Sequence, residues 1–500
     1  MTVPITASML YDLVSCPHRV TMDVFGDASE HDEPNAFVEL LWEKGSLYEK
    51  EVMEGLEIPF TDLSKYQGLE KTQSTLEAMR RGDVLIYSGR MEADGLLGDP
   101  DLLRKEGGGY VAGDIKSGAG LEGSDDLSRP KKHYAVQLGL YTDILERKGL
   151  SAGRRGFIWD INGDEVIYDF TSPEDGRSSR TLWQVYEDTL AHAQEIVTRR
   201  TETLPAYSGV CKLCHWYTAC VSRLTDSNDL TLIPELGRSK RDAMIPRVRT
   251  IRELASSDPG EFIAGNKTVF PGIGPATLKK LHARATLIAA GEKGVPYLKE
   301  PMSLPSEDLE LFFDIEVDPM RDICYLHGFV ERRGGDSNSE KFVPFFAEEP
   351  SAEAEKMAFA RAWRYMRDSQ PCVIYYYSKY ERTIYRKLQV KYPDICTVAE
   401  LEELFAPAHA VDLYFDVVLK LTEWPTRDYS IKTLANYLGF MWRDSHPSGA
   451  ASIEWFHKWV GTGDPEVRQR ILDYNEDDCR ATRVLRDALD DLRVKPERLG

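Results

Sequence analysis

The sequence predicts an α/β protein in which two mixed strand and helix units, one N-terminal and one C-terminal, are joined by a helical connector. Three observations carry that expectation. Between Val84 and Tyr141, two β-like runs flank a Gly-rich turn and give way to helical periodicity. From Leu224 the pattern changes to short helical pieces punctuated by glycine turns. From Leu309 onward, apolar strand-like runs alternate with amphipathic helices, as in a sheet with helices on its faces. At 500 residues the chain is also too long for one ordinary core.

Taken in order, the first 80 or so residues read as helices. Thr6 or Ser8 is placed to cap MLYDLVSC, and NAFVELLWEKGSLYEKEVMEGL is amphipathic over several turns. A hairpin follows, with Asp99 and Asp101 in Gly-Asp-Pro-Asp and Asp114 and Lys116 in Gly-Asp-Ile-Lys. Residues 131–149 and 179–200 return to helical spacing. In the connector, Gly237 and then Gly272 and Gly274 each precede an amphipathic helix with basic residues at its start, and VPYLKEPMSLPSEDLE reads as a Pro-rich linker. The last part offers ELFFDIEVDP, ICYLHGFVER and PCVIYYYS as strands, and AEAEKMAFARAWRYMRD, residues 431–440 and residues 466–489 as helices.

Composition narrows the function classes. An apolar content of 42% with 10% aromatics suits a globular protein, no apolar run reaches the length of a membrane span, and the first 20 residues lack a signal-peptide plan. A cytoplasmic protein without a membrane partner is expected. The net charge of -20 argues against a protein that coats nucleic acid with a uniform positive field. Local basic patches and clustered carboxylates remain compatible with metal-dependent chemistry on phosphates. Of the eight cysteines, Cys211, Cys214 and Cys220 cluster, and Cys-x-x-Cys in such a chain favours metal over disulfide.

The hairpin carries the first chemistry. Hydrolysis of a phosphodiester needs a cation held by hard oxygen ligands and a nearby positive group for developing charge. Asp101, Asp114 and Lys116 supply those types, and Asp114 and Lys116 share one strand face. Gln137 and Tyr141, four apart, share a helix face suited to a nucleic-acid-binding wall. An isolated Asp-x-Lys is ordinarily a surface ion pair, but the ordered set resembles the PD-(D/E)xK nuclease superfamily. Within it the chain is similar to RecB-like nucleases of the AddB and CRISPR-associated types, whose Gly-x-x-Asp, Asp-x-Lys and Gln-x-x-x-Tyr motifs match Gly98 to Asp101, Asp114 with Lys116, and Gln137 with Tyr141. Where that family commonly has a metal-binding histidine, this chain has Tyr48, with Glu49 beside it as the acid used in other branches.

The same resemblance implies that Cys16, Cys211, Cys214 and Cys220 hold a [4Fe-4S] cluster that staples the two ends of the domain. Structural zinc, with His18 or His215 substituting, is the competing reading. The connector resembles paired helix-hairpin-helix modules. Its glycine turns would bring backbone N–H groups to a phosphate, and Arg238, Lys240, Arg241, Lys279 and Lys280 would add sequence-independent attraction.

A second constellation lies in the C-terminal part. Asp314 and Glu316 share one face of an apolar strand, and Tyr474 and Asp478 lie one helical turn apart. This resembles DEDDy-type exonucleases of the DnaQ-like, ribonuclease H-like fold, in particular the YprB-like branch. The resemblance implies two-metal hydrolysis with Asp314, Glu316 and Asp478 as ligands, Tyr474 orienting water, and Glu381 in place of the usual second-motif aspartate; Asp412 is expected to support the fold.

The expectation is a Mg²⁺- or Mn²⁺-dependent DNA nuclease acting on single strands or ends in repair or defence. It would comprise a RecB-like domain over 1–222, a connector over 223–300 and a ribonuclease H-like domain over 301–500. Cleavage by the C-terminal centre, on RNA as well as DNA, is one alternative, and a non-catalytic nucleic-acid clamp is the other. No Gly-Lys-Ser/Thr phosphate loop occurs, so a helicase motor would be a separate partner.

Overall fold

The strand Gly109–Ile115 is buried along its whole length, as a central strand of a two-sided sheet must be. The computed structural model describes residues 3–34, 36–123, 128–174, 178–445 and 447–494, which gather into two compact units, Met1–Arg223 and Leu224–Gly500. In the first unit, Gly109–Ile115 lies in a six-stranded sheet. It is flanked on one side by Ser151–Trp159 and Glu165–Asp169, and on the other by Leu102–Glu106, Leu85–Tyr87 and Thr61–Asp62. The hairpin is the pair Leu102–Glu106 and Gly109–Ile115, with Leu102 opposite Gly113, so the acids that the sequence pattern placed at the end of the first run instead precede its strand. Asp101 therefore immediately precedes one strand and Asp114 nearly ends the other, which puts both at the same end of the sheet.

The helix Lys132–Arg147 covers this sheet with an almost continuous buried face from Tyr134 to Leu145. Helices Ala7–Ser15 and Leu182–Val197 pack on it, the first capped by Thr6 as expected and the second by a Thr181/Gln184 capping box. Glycines are placed where the packing is tightest. A Cβ on Gly113 would lie 2.4 Å from the Phe157 ring, and one on Gly98 would lie 2.6 Å from Tyr141. The glycine and tyrosine of two separate motifs are thus one packing pair.

In the second unit the connector helices Gly237–Met244, Ile251–Ser256 and Pro275–Ala289 share a small core of Leu236, Met244, Leu254, Phe270, Leu278 and Leu281. A buried charge locks them to the C-terminal part of the unit. Arg284, fully buried, donates to Glu423 Oε2 at 2.7 Å and to the Pro234 carbonyl at 2.9 Å, and also pairs with Glu235. The Pro-rich stretch is tied down as well, because Tyr297–Leu298 pairs with Thr422–Glu423.

Beyond it, five strands run in the order Asp336–Phe346, Ile323–Arg333, Leu309–Asp318, Val373–Tyr376, Ala410–Asp412. The first three are antiparallel neighbours and the last two run parallel to Leu309–Asp318. The 27-residue helix Pro465–Asp491 packs across Leu309–Asp318 and Ile323–Arg333. The strand Asp336–Phe346 and the helix Gly449–Thr462 are not anticipated by the sequence pattern: the strand is largely polar, without clean alternation.

Candidate functional site

In the first unit, strand pairing brings Asp101 and Asp114 together. The Asp101 amide donates to Asp114 Oδ1 at 3.3 Å, and Asp101 Oδ2 accepts from the Ile115 amide at 2.9 Å. Lys116 Nζ sits 2.9 Å from Asp114 Oδ2. Burial pushes the Asp101 carboxyl well above the usual range, with Asp114 adding to the effect and Lys116 opposing it. For Lys116 burial works toward deprotonation, but Asp114 and Asp101 outweigh it and raise the ammonium above its ordinary value. Glu49 accepts from the Tyr87 hydroxyl at 2.9 Å and adds to the charge felt by Asp101. Tyr48 takes no part, because its hydroxyl donates to the Asp160 backbone carbonyl.

Gln137 and Lys116 open onto a cavity of about 720 Å³ that also reaches Tyr11, Arg19, Trp42 and Cys214. The expected wall of Gln137 and Tyr141 needs correction. Tyr141 is only 2% exposed, and its hydroxyl donates to the Asp99 carbonyl at 3.2 Å while accepting from Gln137 at 3.3 Å. It braces the loop that carries Asp101 and is buried away from solvent.

The four motif cysteines form no disulfide, and each is partly exposed. Burial pushes Cys220 up to about 12, and Cys214, Cys16 and Cys211 are all near enough to add to that. Among the described residues, however, no three of their sulfurs lie within 4.8 Å of one another. Of the two candidate histidines, His18 bonds Thr203 through Nδ1, and His215 bonds Asp23 through Nε2 at 2.7 Å.

The second unit holds the tighter constellation. Among the described residues, Asp314, Glu316 and Asp478 form the one group of three or more Asp, Glu, His or Cys side chains whose donor atoms lie within 4.8 Å of one another. Two come from alternate positions of one strand and the third from the long helix crossing it. Burial raises Asp314 well above the ordinary carboxyl range, and Asp478 and Glu316 add their repulsion. Glu316 is pushed up to about 8 by burial and then by Asp478. Hard oxygen donors crowded against their own repulsion fit a divalent cation such as Mg²⁺ or Mn²⁺.

Neighbouring groups decide which acids face this point. Asp477 is taken by Arg443, through the backbone amide at 2.8 Å and Nε at 2.9 Å, and Glu476 pairs with Arg480 at 2.8 Å. That leaves Asp478, which accepts from Trp442 Nε1 at 2.7 Å. Asn475 donates to Asp314 Oδ2 at 2.7 Å. It reaches that far because Gly328 lies directly across the strand pair from Asp314, and a Cβ there would fall 1.6 Å from the Asn475 amide oxygen. The Tyr474 hydroxyl accepts from Lys432 Nζ at 2.8 Å, and the same ammonium is 3.6 Å from Asp478 Oδ1.

Glu381 is corrected: it stays outside the donor group. Its carboxylate turns back to the start of its own helix, 3.4 Å from the Ser378 hydroxyl. Asp412 caps the following helical turn by accepting from the Tyr414 and Phe415 amides, the supporting role expected of it. Burial holds Glu381 up to about 8, against an ordinary value of 4.5. The folded chain therefore keeps a proton that the unfolded chain releases, and this group's contribution to stability is full below about pH 4.5 and lost as pH rises through about 8. Glu381→Gln is expected to flatten the fall in thermal midpoint of the metal-free protein across that window; an unchanged slope would refute it.

Sequence reasoning missed Lys432, Asn475, Trp442 and Gly328. Lys432 left one signal, a cation in the first turn of a helix, where the helix dipole disfavours it. In the connector Arg241 also needs correction. It is 1% exposed and paired with Asp229 at 3.0 Å and Asp242 at 2.7 Å, so it is a core group closed to nucleic acid. Lys240 donates to the Glu235 carbonyl at 2.6 Å and Lys280 pairs with the Glu235 carboxylate, while Lys279 is exposed. Gly237 and Gly272 have the left-handed φ values of +64° and +74° that their turns require, whereas Gly274 is an extended N-cap.

Comparison with known protein families agrees with this division. The PD-(D/E)XK nuclease superfamily matches residues 16–221, and a member of the RNase H superfamily, RNase_H_2, matches residues 311–490. No curated protein matches the chain. The chain thus carries an N-terminal PD-(D/E)XK nuclease domain followed by a C-terminal RNase H-like domain.

Proposed function

We propose that the protein hydrolyses nucleic-acid phosphodiester bonds with a divalent cation, and that the C-terminal centre is the principal site of cleavage. The observation that carries this is the convergence of Asp314, Glu316 and Asp478 within 4.8 Å of one another. A cation held there would polarise the phosphate and help ionise the attacking water. Asp314, Glu316 and Asp478 would hold the cation, Asn475 would keep the Asp314 carboxylate aimed at it, and the Tyr474 hydroxyl would position the water. Single strands or ends of DNA are the proposed substrate, RNA is the alternative, and repair or defence is the proposed setting, with any helicase motor supplied in trans. The exposed Lys279 and the glycine turns of the connector support sequence-independent backbone contact.

A second reading is favoured by the pair of buried Asp114 with half-buried Lys116 beside Asp101, since Lys116 lines the cleft of about 720 Å³. On this reading the N-terminal domain cleaves as well. Its four cysteines are proposed to hold a [4Fe-4S] cluster, as the resemblance to RecB-like nucleases implies, with structural zinc as the alternative.

The test is cleavage of end-labelled DNA and RNA strands, single and double, by the full chain with Mg²⁺ or Mn²⁺ and with chelator. Lys116→Ala is expected to leave the Asp314-dependent products in place and remove only products that the N-terminal centre makes. Loss of all products in Lys116→Ala would move the principal site to the N-terminal domain. Binding without product under either metal would leave a clamp.

A further inference from the structure

We infer that the cavity beside Lys116 is a subsite for an unpaired nucleobase, in which Trp42 and Tyr11 stack on a base of a single strand whose phosphate lies at Asp101, Asp114 and Lys116. The inference rests on the reading of the N-terminal domain as a second cleavage centre, and it names the form of strand that centre takes.

Three helices build the walls. On Ala36–Glu54, Val38, Leu41 and Trp42 follow one another at helical spacing and all line the cavity. The stripe continues to Gly45, where a Cβ would lie 3.9 Å from the hydroxyl of Ser117, the residue after Lys116. Farther along the same helix stands Glu49, whose charge is felt by Asp101. Trp42 therefore precedes Glu49 by about 10 Å of helix, which sets it beside the acids and not among them. Helix Ala7–Ser15 brings Tyr11, whose ring meets His133 edge-on at 4.7 Å and lies 6.2 Å from Tyr134. Helix Lys132–Arg147 brings Tyr134, with Lys116 Nζ 5.8 Å from its ring centre. One cavity thus joins aromatic walls to the ammonium of the candidate cleavage centre.

The rings stand ready for a ligand. Trp42 is 62% exposed and Tyr11 36% exposed, and among the described residues the Trp42 indole has no ring or hydrogen-bond partner. An indole in a cavity wall loses contact with water favourably when a flat apolar face covers it. The volume of about 720 Å³ is in the range of pockets that take small organic groups. Charge selects the kind of group. Lys116 offers its ammonium to a phosphate next to the base, while Asp12 on the lining is paired with Arg19 at 3.0 Å and Glu33 is exposed to solvent. Bases in a duplex already stack on one another, so only an unpaired base can present its face to Trp42. Every base has such a face, and the subsite is tolerant of sequence for that reason.

The experiment is binding to the full chain in chelator, where no strand is cut, of a short single strand and of its duplex, each carrying photoreactive 5-iodouracil. This base links on irradiation to an aromatic ring stacked against it. Peptide mapping is expected to place the link on Trp42 or Tyr11 with the single strand and on neither with the duplex. Trp42→Ala is expected to lower single-strand affinity about tenfold while duplex affinity and the thermal midpoint stay unchanged, and Trp42→Phe to restore most of the loss. Links found only outside the N-terminal domain, an unchanged single-strand affinity in Trp42→Ala, or an equal loss on duplex would overturn the inference. Cleavage by Lys116→Ala separates it from the reading it rests on. Undiminished products from Lys116→Ala would remove the N-terminal centre from catalysis, while the link to Trp42 or Tyr11 in chelator would still decide whether the cavity takes a base.

Discussion

Asp314→Asn is expected to lower cleavage by at least about a thousandfold with the fold intact, since loss of cation-held charge stabilisation adds several kcal/mol to the barrier and each 1.36 kcal/mol is about tenfold. Asparagine keeps the size of the side chain and its bond partner at Asn475, so the loss reads charge and not shape. Stability should move the other way. Asp314 is held well above the ordinary carboxyl range by burial, then by Asp478 and Glu316, so its ionised form is unfavourable in the metal-free protein. A thermal midpoint at or above wild type, together with lost cleavage, is the expected pair of results. A variant that unfolds would mean that the carboxylate holds the fold and not a cation.

The second large effect is expected from Gly328→Ala, a change of one methyl group at a residue that touches no ligand. The new Cβ would lie 1.6 Å from the Asn475 amide oxygen and 3.0 Å from Phe342. Asn475 is fully buried on the long helix, so its amide has little room to swing away. Overpacking of this kind costs typically about 1–3 kcal/mol. The more telling consequence is that Asn475 must release Asp314, which loosens one cation ligand. Cleavage should fall by about a hundredfold and Mn²⁺ affinity with it, measured beside the midpoint. Asn475→Ser, which removes the clash, is expected to restore stability to Gly328→Ala without restoring the rate. Recovery of both would show that the asparagine only fills space.

Much of this was legible because the chemistry sits on regular elements. Alternation put Asp314 and Glu316 on one strand face, helical spacing put Tyr474 above Asp478, and the Gly-rich turn gave the hairpin that aligns Asp101 with Asp114. What was not legible depends on contacts between distant segments. Glu381 stands at the expected place in the chain, but it starts a helix, and the local bond to Ser378 holds its carboxylate outside the group of three donors, although its charge still reaches Asp314. Arg241 has the composition of a phosphate contact, yet its short helix points it at Asp229 in the interior. Tyr141 becomes a brace because Gly98, about 40 residues earlier in the chain, leaves space for its ring. Lys432 and Asn475 were hidden for the same reason, since nothing near them in sequence shows that both face Asp314 and Asp478.

The most direct test of the central claim is the position of Mn²⁺ in a crystal of the full chain, located by anomalous scattering. One strong peak at about 2.0–2.4 Å from oxygens of Asp314, Glu316 and Asp478 is the expected result. No peak there at saturating Mn²⁺, with occupancy instead between Asp101 and Asp114, would contradict it.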